Sequence, residues 1–97
     1  MITSKQRAYL RSIAQNLEPI FQVGKNGVND NQVIQLIDAL EAREIIKITL
    51  LDSTPADKHS IADEIAKRTD SDVVQLIGKK LTIYRKSTKN PKIVLPK

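Results

Sequence analysis

Apolar positions along the chain switch between helical and strand periods. Thr3-Ser4-Lys5-Gln6 has the Thr-x-x-Gln form of a capping box, which opens a helix running to about Asn16. Ala8, Tyr9, Ile13 and Leu17 supply its apolar stripe, while Lys5, Arg7 and Arg11 project from the other faces. Glu18-Pro19 ends it, because a residue before proline avoids the α region. Ile20 to Val23 then forms a first strand. After Gly24-Lys25-Asn26-Gly27, Asn29 or Asp30 caps a second helix. Val33, Ile34, Ile37 and Leu40 recur on it at helical spacing, with Leu36 alongside, and it ends near Ala42-Arg43. From Glu44 to Leu51 the period changes to two. Ile46, Ile48 and Leu50 face one way; Ile45, Lys47, Thr49 and Leu51 face the other. Asp52-Ser53-Thr54-Pro55 reads as a turn into a third helix beginning near Ala56-Asp57. Ile61, Ala62, Ile65 and Ala66 line one side of that helix, and Lys67-Arg68 suit its negative end. Val73–Ile77 and Leu81–Arg85 are two strands joined as a hairpin by Gly78-Lys79-Lys80. From Ser87 onward, with Pro91 and Pro96, the chain reads as an extended and only partly ordered tail, so the expected division is a domain over 1–87 and a tail over 88–97.

The resulting order is α-β-α-β-α-β-β, an α/β chain of the α+β kind. Strand–helix–strand units imply right-handed crossovers between parallel strands, and the hairpin adds one antiparallel strand. Ninety-seven residues make one domain with little apolar surface to spare. No cysteine is present, which removes disulfides, thiolate metal ligands and a cysteine nucleophile. The first residues lack an apolar signal core, and no apolar run approaches membrane-spanning length. A soluble, cytoplasmic protein with no membrane partner is therefore expected, acting as a monomer.

The net charge of +5 conceals a segregation. Lys5, Arg7 and Arg11 stand in residues 1–17 without an acid. Lys79, Lys80, Arg85, Lys86, Lys89, Lys92 and Lys97 stand in residues 79–97, again without an acid. The acids concentrate between residues 28 and 72. A basic face and an acidic face follow if the two ends meet in the fold. Scattered lysines that merely confer solubility are the simpler alternative.

The stretch that carries chemistry is Gly24-Lys25-Asn26-Gly27. Two glycines three apart allow a sharp turn and a close approach by a ligand's backbone. The helix start beyond them favours phosphate, and Lys25 adds a cation. A strand, a G-x-x-G loop and a helix is how KH-type modules clamp a nucleic-acid backbone. A plain strand-to-helix turn would use the same residues. It is not a Walker A loop, because no Gly-Lys-Ser/Thr follows.

Over most of its length the chain resembles the CRM domain (chloroplast RNA splicing and ribosome maturation), in its free-standing bacterial YhbY-like form. The matching pieces are Arg7-Ala8-Tyr9-Leu10-Arg11, Pro19 through Gly27, Glu44-Ile45-Ile46-Lys47-Ile48, and Val74-Gln75-Leu76-Ile77-Gly78-Lys79-Lys80-Leu81-Thr82-Ile83-Tyr84-Arg85. The resemblance implies a two-layer fold like the C-terminal domain of translation initiation factor three, with a four-stranded mixed sheet. It implies RNA binding and association with precursors of the large ribosomal subunit. Carried onto this chain, the contacting loop is Gly24, Lys25, Asn26 and Gly27. Lys5, Arg7 and Arg11 on the leading helix, and Lys79, Lys80 and Arg85 around the last hairpin, are the supporting contacts.

No catalytic constellation stands out, so no enzyme and no cofactor is expected. His59 is the lone histidine and reads as a surface residue, and a transition metal would lack ligands. Asp63-Glu64 and Asp70-Ser71-Asp72 read as solvated acids. Tyr84 suits either a core position or base stacking. With so few aromatics, recognition by backbone and shape is expected over sequence readout by stacking. The alternative function is an adaptor whose acidic second and third helices bind a basic ribosomal protein.

Overall fold

A computed structural model describes residues 2–24, 27–51 and 57–97. Its elements are α1 (Ser4–Ala14), β1 (Phe21–Val23), α2 (Asp30–Arg43), β2 (Ile45–Leu50), α3 (Lys58–Thr69), β3 (Asp72–Ile77) and β4 (Lys80–Tyr84). The expected order is present. Lys25, Asn26 and the expected turn at Asp52–Pro55 lie outside the described residues.

Local chemistry sets the boundaries. Thr3 and Gln6 form the expected capping box on α1, and Asn29 and Gln32 form a second one on α2. Asp57 caps α3, accepting the Ser60 N–H at 3.2 Å. Gly78 has φ +56°, and Lys80 already pairs with Thr49 and Ile77. The hairpin loop is thus the two residues Gly78-Lys79, one shorter than expected, with glycine at the first position that favours positive φ.

The four strands lie in the order β1-β2-β4-β3. β1 and β2 are parallel, and β4 runs antiparallel to both its neighbours. β4 is therefore inserted between β2 and β3, the two strands joined through α3. Each face of the sheet has its own core. On one face Ile46, Ile48, Leu50, Leu81 and Ile83 meet Leu36 and Leu40 of α2 and Ala62 and Ile65 of α3. On the other, Ile45, Val74 and Tyr84 meet Leu10 and Ala14 of α1 and Ile2, with Ile93 and Leu95 of the tail against them. The α+β architecture and mixed sheet are as expected; α1 and the tail add a partial third layer. A bulge between Val73 and Gln75 puts Val73 and Leu76 on the α2–α3 face and Val74 on the α1 face.

The alternation along β2 and the stripe of α3 are as the sequence indicates. Two helical stripes are phased differently. On α1 the buried residues are Leu10 and Ala14, whereas Tyr9 is 42% exposed. On α2 they are Leu36 and Leu40, whereas Ile34 is 57% exposed.

The tail forms no helix or strand, and it is fastened to the rest of the fold. The Ser87, Lys92 and Ile93 N–H groups all donate to the Glu44 carboxylate. Gln6 donates from Nε2 to the Pro96 carbonyl at 3.0 Å. Glu44 sits at φ +67°, a region that favours glycine. Three charge-assisted hydrogen bonds offset that strain.

Candidate nucleic-acid interface

β1 ends at Val23, and Gly27 returns its N–H to the Gly24 carbonyl at 3.0 Å, closing a four-residue turn. Gly27 has φ +69°, a conformation most side chains resist. An added Cβ there would lie 4.0 Å from Glu64 Oε2, an ordinary contact, so backbone conformation rather than space calls for glycine. The turn stands beside the C-terminal end of β2, because Val23 pairs with Leu50 and accepts the Leu51 N–H.

The β3–β4 hairpin turn lies at this same end. Leu50 donates its N–H to the Lys79 carbonyl at 2.7 Å. Lys80 reaches Thr49 Oγ1 from its Nζ at 3.1 Å. Both lysines are exposed. Insertion of β4 next to β2 thus carries Lys79 and Lys80 to the end of the sheet that holds Gly24 and Gly27.

The other candidate cations lie elsewhere. Arg85 follows β4 at the opposite end, where its N–H donates to the Glu44 carbonyl at 2.8 Å. There Arg85 and Lys86 share a cavity of about 380 Å³ with Asp70 and Asp72, an environment of mixed sign. Lys5 stands in the first turn of α1, whose Gln6 bonds the tail and whose Arg7 donates from Nε to the Val73 carbonyl at 3.3 Å. Arg7 is thereby partly engaged in holding α1 to β3. Arg11 is exposed in the last turn of α1. The sequence-derived set therefore does not form one cluster. Gly24, Gly27, Lys79 and Lys80 share one end of the sheet; Lys5, Arg7 and Arg85 lie toward the other; Arg11 lies on α1 between. Lys25 and Asn26 are outside the described residues.

The ends of the chain do meet. α1 and the tail share the second face of the sheet, so the first acid-free segment lies with the later part of the second, while Lys79 and Lys80 stand at the glycine-turn end. α2 and α3, with exposed Asp38, Asp63 and Glu64, cover the first face.

The start of α2 is less open to phosphate than the sequence indicates. Asn29 Oδ1 takes the Gln32 N–H at 2.8 Å, and Gln32 Oε1 takes the Asn29 N–H at 3.0 Å. Asp30 adds a carboxylate at the positive end of the dipole. Arg68 reaches across from α3 to donate to the Val28 carbonyl and to Asp30 Oδ1, the latter at 2.6 Å. Read from sequence as a helix-end charge, Arg68 in fact holds the chain just after the glycine turn. Its position 38 residues beyond Asp30 left no local signal of that contact.

Tyr84 is 4% exposed and belongs to the α1-side core, which excludes its ring as a stacking surface. Burial, then the negative charges of Glu44 and Asp72, push its hydroxyl above the ordinary tyrosine value. His59 is exposed on α3, and among the described residues no three of His, Cys, Asp and Glu gather to hold a metal. No helix among them is long and apolar enough to cross a membrane.

Comparison with known proteins places this arrangement in a family. A probable RNA-binding protein of Bacillus subtilis, YqeI, is 48% identical over 96 residues, covering 99% of this chain and 100% of its own. A probable RNA-binding protein of Pseudomonas aeruginosa is 34% identical over 88 residues, covering 91% of this chain and 85% of its own. The solution structure of a hypothetical protein from Staphylococcus aureus superposes with a TM-score of 0.83 at 47% identity, covering 99% of this chain and 100% of that one. The family model of the CRS1/YhbY (CRM) domain matches residues 2–85, and this chain belongs to that family.

Proposed function

We propose that this protein binds RNA, without catalysing any change in it, through the end of the sheet that carries the glycine turn. The observation that carries the reading is the convergence of Gly24 and Gly27 with Lys79 and Lys80. A glycine turn lets a phosphodiester approach the main chain, and lysines within reach supply counter-charge. Lys25 and Asn26, between the two glycines in sequence, are its remaining polar contacts; Arg11 and Lys5 on α1 offer further positive charge away from that end. Relatives named as RNA-binding proteins support the same ligand class.

The RNA is proposed to be ribosomal, within precursors of the large subunit, met by a cytoplasmic monomer. The basic α1-and-tail face gives the physical means, and the acidic α2–α3 face would repel RNA from the other side. The test is sedimentation of lysate from cells carrying a tagged protein, followed by crosslinking and sequencing of attached RNA. The protein should peak with large-subunit precursors and be scarce on polysomes. Recovery only in ribosome-free fractions at low salt would remove the ribosomal reading. Retention on particles after charge reversal of Lys79 and Lys80, with loss after reversal of Asp38 and Asp63, would favour an adaptor for a basic protein.

A further inference from the structure

The outward face of α1 holds an aromatic ring that the fold does not use. Tyr9 is 42% exposed, while its neighbour Leu10 is fully buried. One exposed apolar residue is ordinary on any protein surface. The setting of this one is not. Lys5 lies one turn before it on the same face and Ser12 nearly one turn after, and a helical aromatic leans toward its N-terminal turn, here toward Lys5. Arg11, a half-turn further along, is exposed on the opposite flank of the helix and does not share this face. The helix has no acid in its first turn, and residues 1–17 contain none. Among the described residues Lys5, Arg11 and the Tyr9 hydroxyl have no side-chain hydrogen bond or ion pair. Phe21 and Tyr84, the other aromatics, are packed against the two cores. Tyr9 is therefore the aromatic ring available to a ligand, on the helix whose charge suits a polyanion.

Resting on the RNA-binding reading, we infer that the outer face of α1 is a platform for single-stranded RNA, with an unpaired base stacked on Tyr9 and a flanking phosphate on Lys5. Stacking on an aromatic is sequence-tolerant, because every base has a π-face, and it requires a base released from a duplex. A duplex offers phosphates to the same lysine but no free base face. The platform thus adds discrimination between unpaired and paired RNA to a glycine turn that contacts backbone alone.

Tyrosine emission reports the contact, since the protein has two tyrosines and no tryptophan. The full chain is titrated with a short oligouridylate and with an RNA duplex of equal length, following emission and, with labelled RNA, anisotropy. Wild-type emission should quench with the single strand. Tyr9→Phe should bind that strand within about threefold of wild type without the quench. Tyr9→Ala should bind it about tenfold more weakly, with duplex affinity changed less than about twofold. A quench that persists in Tyr9→Phe, or single-strand affinity unchanged in Tyr9→Ala, overturns the platform while RNA binding stands. A wild-type protein that binds neither RNA removes the RNA-binding reading itself.

Discussion

Glu44 and Ile93 meet across 49 positions of sequence, the Ile93 N–H donating to Glu44 Oε1 at 2.6 Å. The same carboxylate takes the N–H groups of Lys92 at 2.6 Å and Ser87 at 2.8 Å. One side chain at the end of α2 thereby fixes the path of the tail over the sheet's second face, and with it the companionship of the first basic segment and the later part of the second.

Glu44 should make stability sensitive to acid. Its burial alone would raise the carboxyl; the Ile93, Ser87 and Lys92 N–H groups and the charge of Lys86 outweigh that and hold it below the ordinary value. A carboxyl lowered in the folded state adds stability that is present above the unfolded value near 4.5 and lost as pH falls through the folded value. Glu44→Gln keeps the shape but turns an N–H₂ toward donors, at a cost of about 1–3 kcal/mol at pH 7. Urea denaturation at neutral and acid pH should show that cost shrinking below the carboxylate range. Equal stability of variant and wild type at neutral pH would mean the carboxylate holds nothing.

Gly27 should be required for its backbone and not for its size. Gly27→Ala meets no crowding but must hold φ near +69°, for about 1 kcal/mol. Gly27→Asn, which tolerates that region, should lose less. Thermal melts of the two variants separate the cases. A larger loss for Asn would point to a steric limit at the turn.

Arg68 and Asp30 should contribute unequally although they form one ion pair. The Asp30 side chain is 96% exposed, so solvent screens the pair and Asp30→Ala should change stability little. Arg68→Ala also strands the Val28 carbonyl and frees the exit of the glycine turn, so its loss should be the larger, about 1 kcal/mol. A double-mutant cycle measures the coupling. Equal losses for the two variants would place the interaction in the ion pair after all.

The legible parts of the fold were those with one possible period. The β2 run alternates cleanly from Ile46 to Leu50, and α3 carries Ile61, Ala62, Ile65 and Ala66 with polar residues between. Ala8-Tyr9-Leu10 and Val33-Ile34 are adjacent apolar residues, through which a stripe can be drawn in more than one phase; contact with the sheet chooses Leu10 and Leu36 and leaves Tyr9 and Ile34 outside. The insertion of β4 beside β2 has no local signature, because a hairpin signal fixes antiparallel pairing with β3 only. For the same reason the glycine turn could be recognised locally, while its proximity to Lys79 and Lys80 and its distance from Arg85 could not. The hold of Glu44 on the tail joins residues too far apart for any periodicity to display.

The central claim, that the glycine-turn end binds RNA through its phosphates, is tested most directly by the salt dependence of RNA affinity for wild type and for a Lys25→Asp/Asn26→Asp variant. Each phosphate contact should contribute roughly −0.7 to −0.9 to the log–log slope, and about three to six contacts are expected for the wild type. The variant should keep its stability within ~0.5 kcal/mol. Its RNA affinity should fall at least about tenfold, with a shallower slope. Affinity that is flat with salt, or unchanged by the two aspartates in a protein of unaltered stability, would contradict the account and leave the glycine turn as a turn alone.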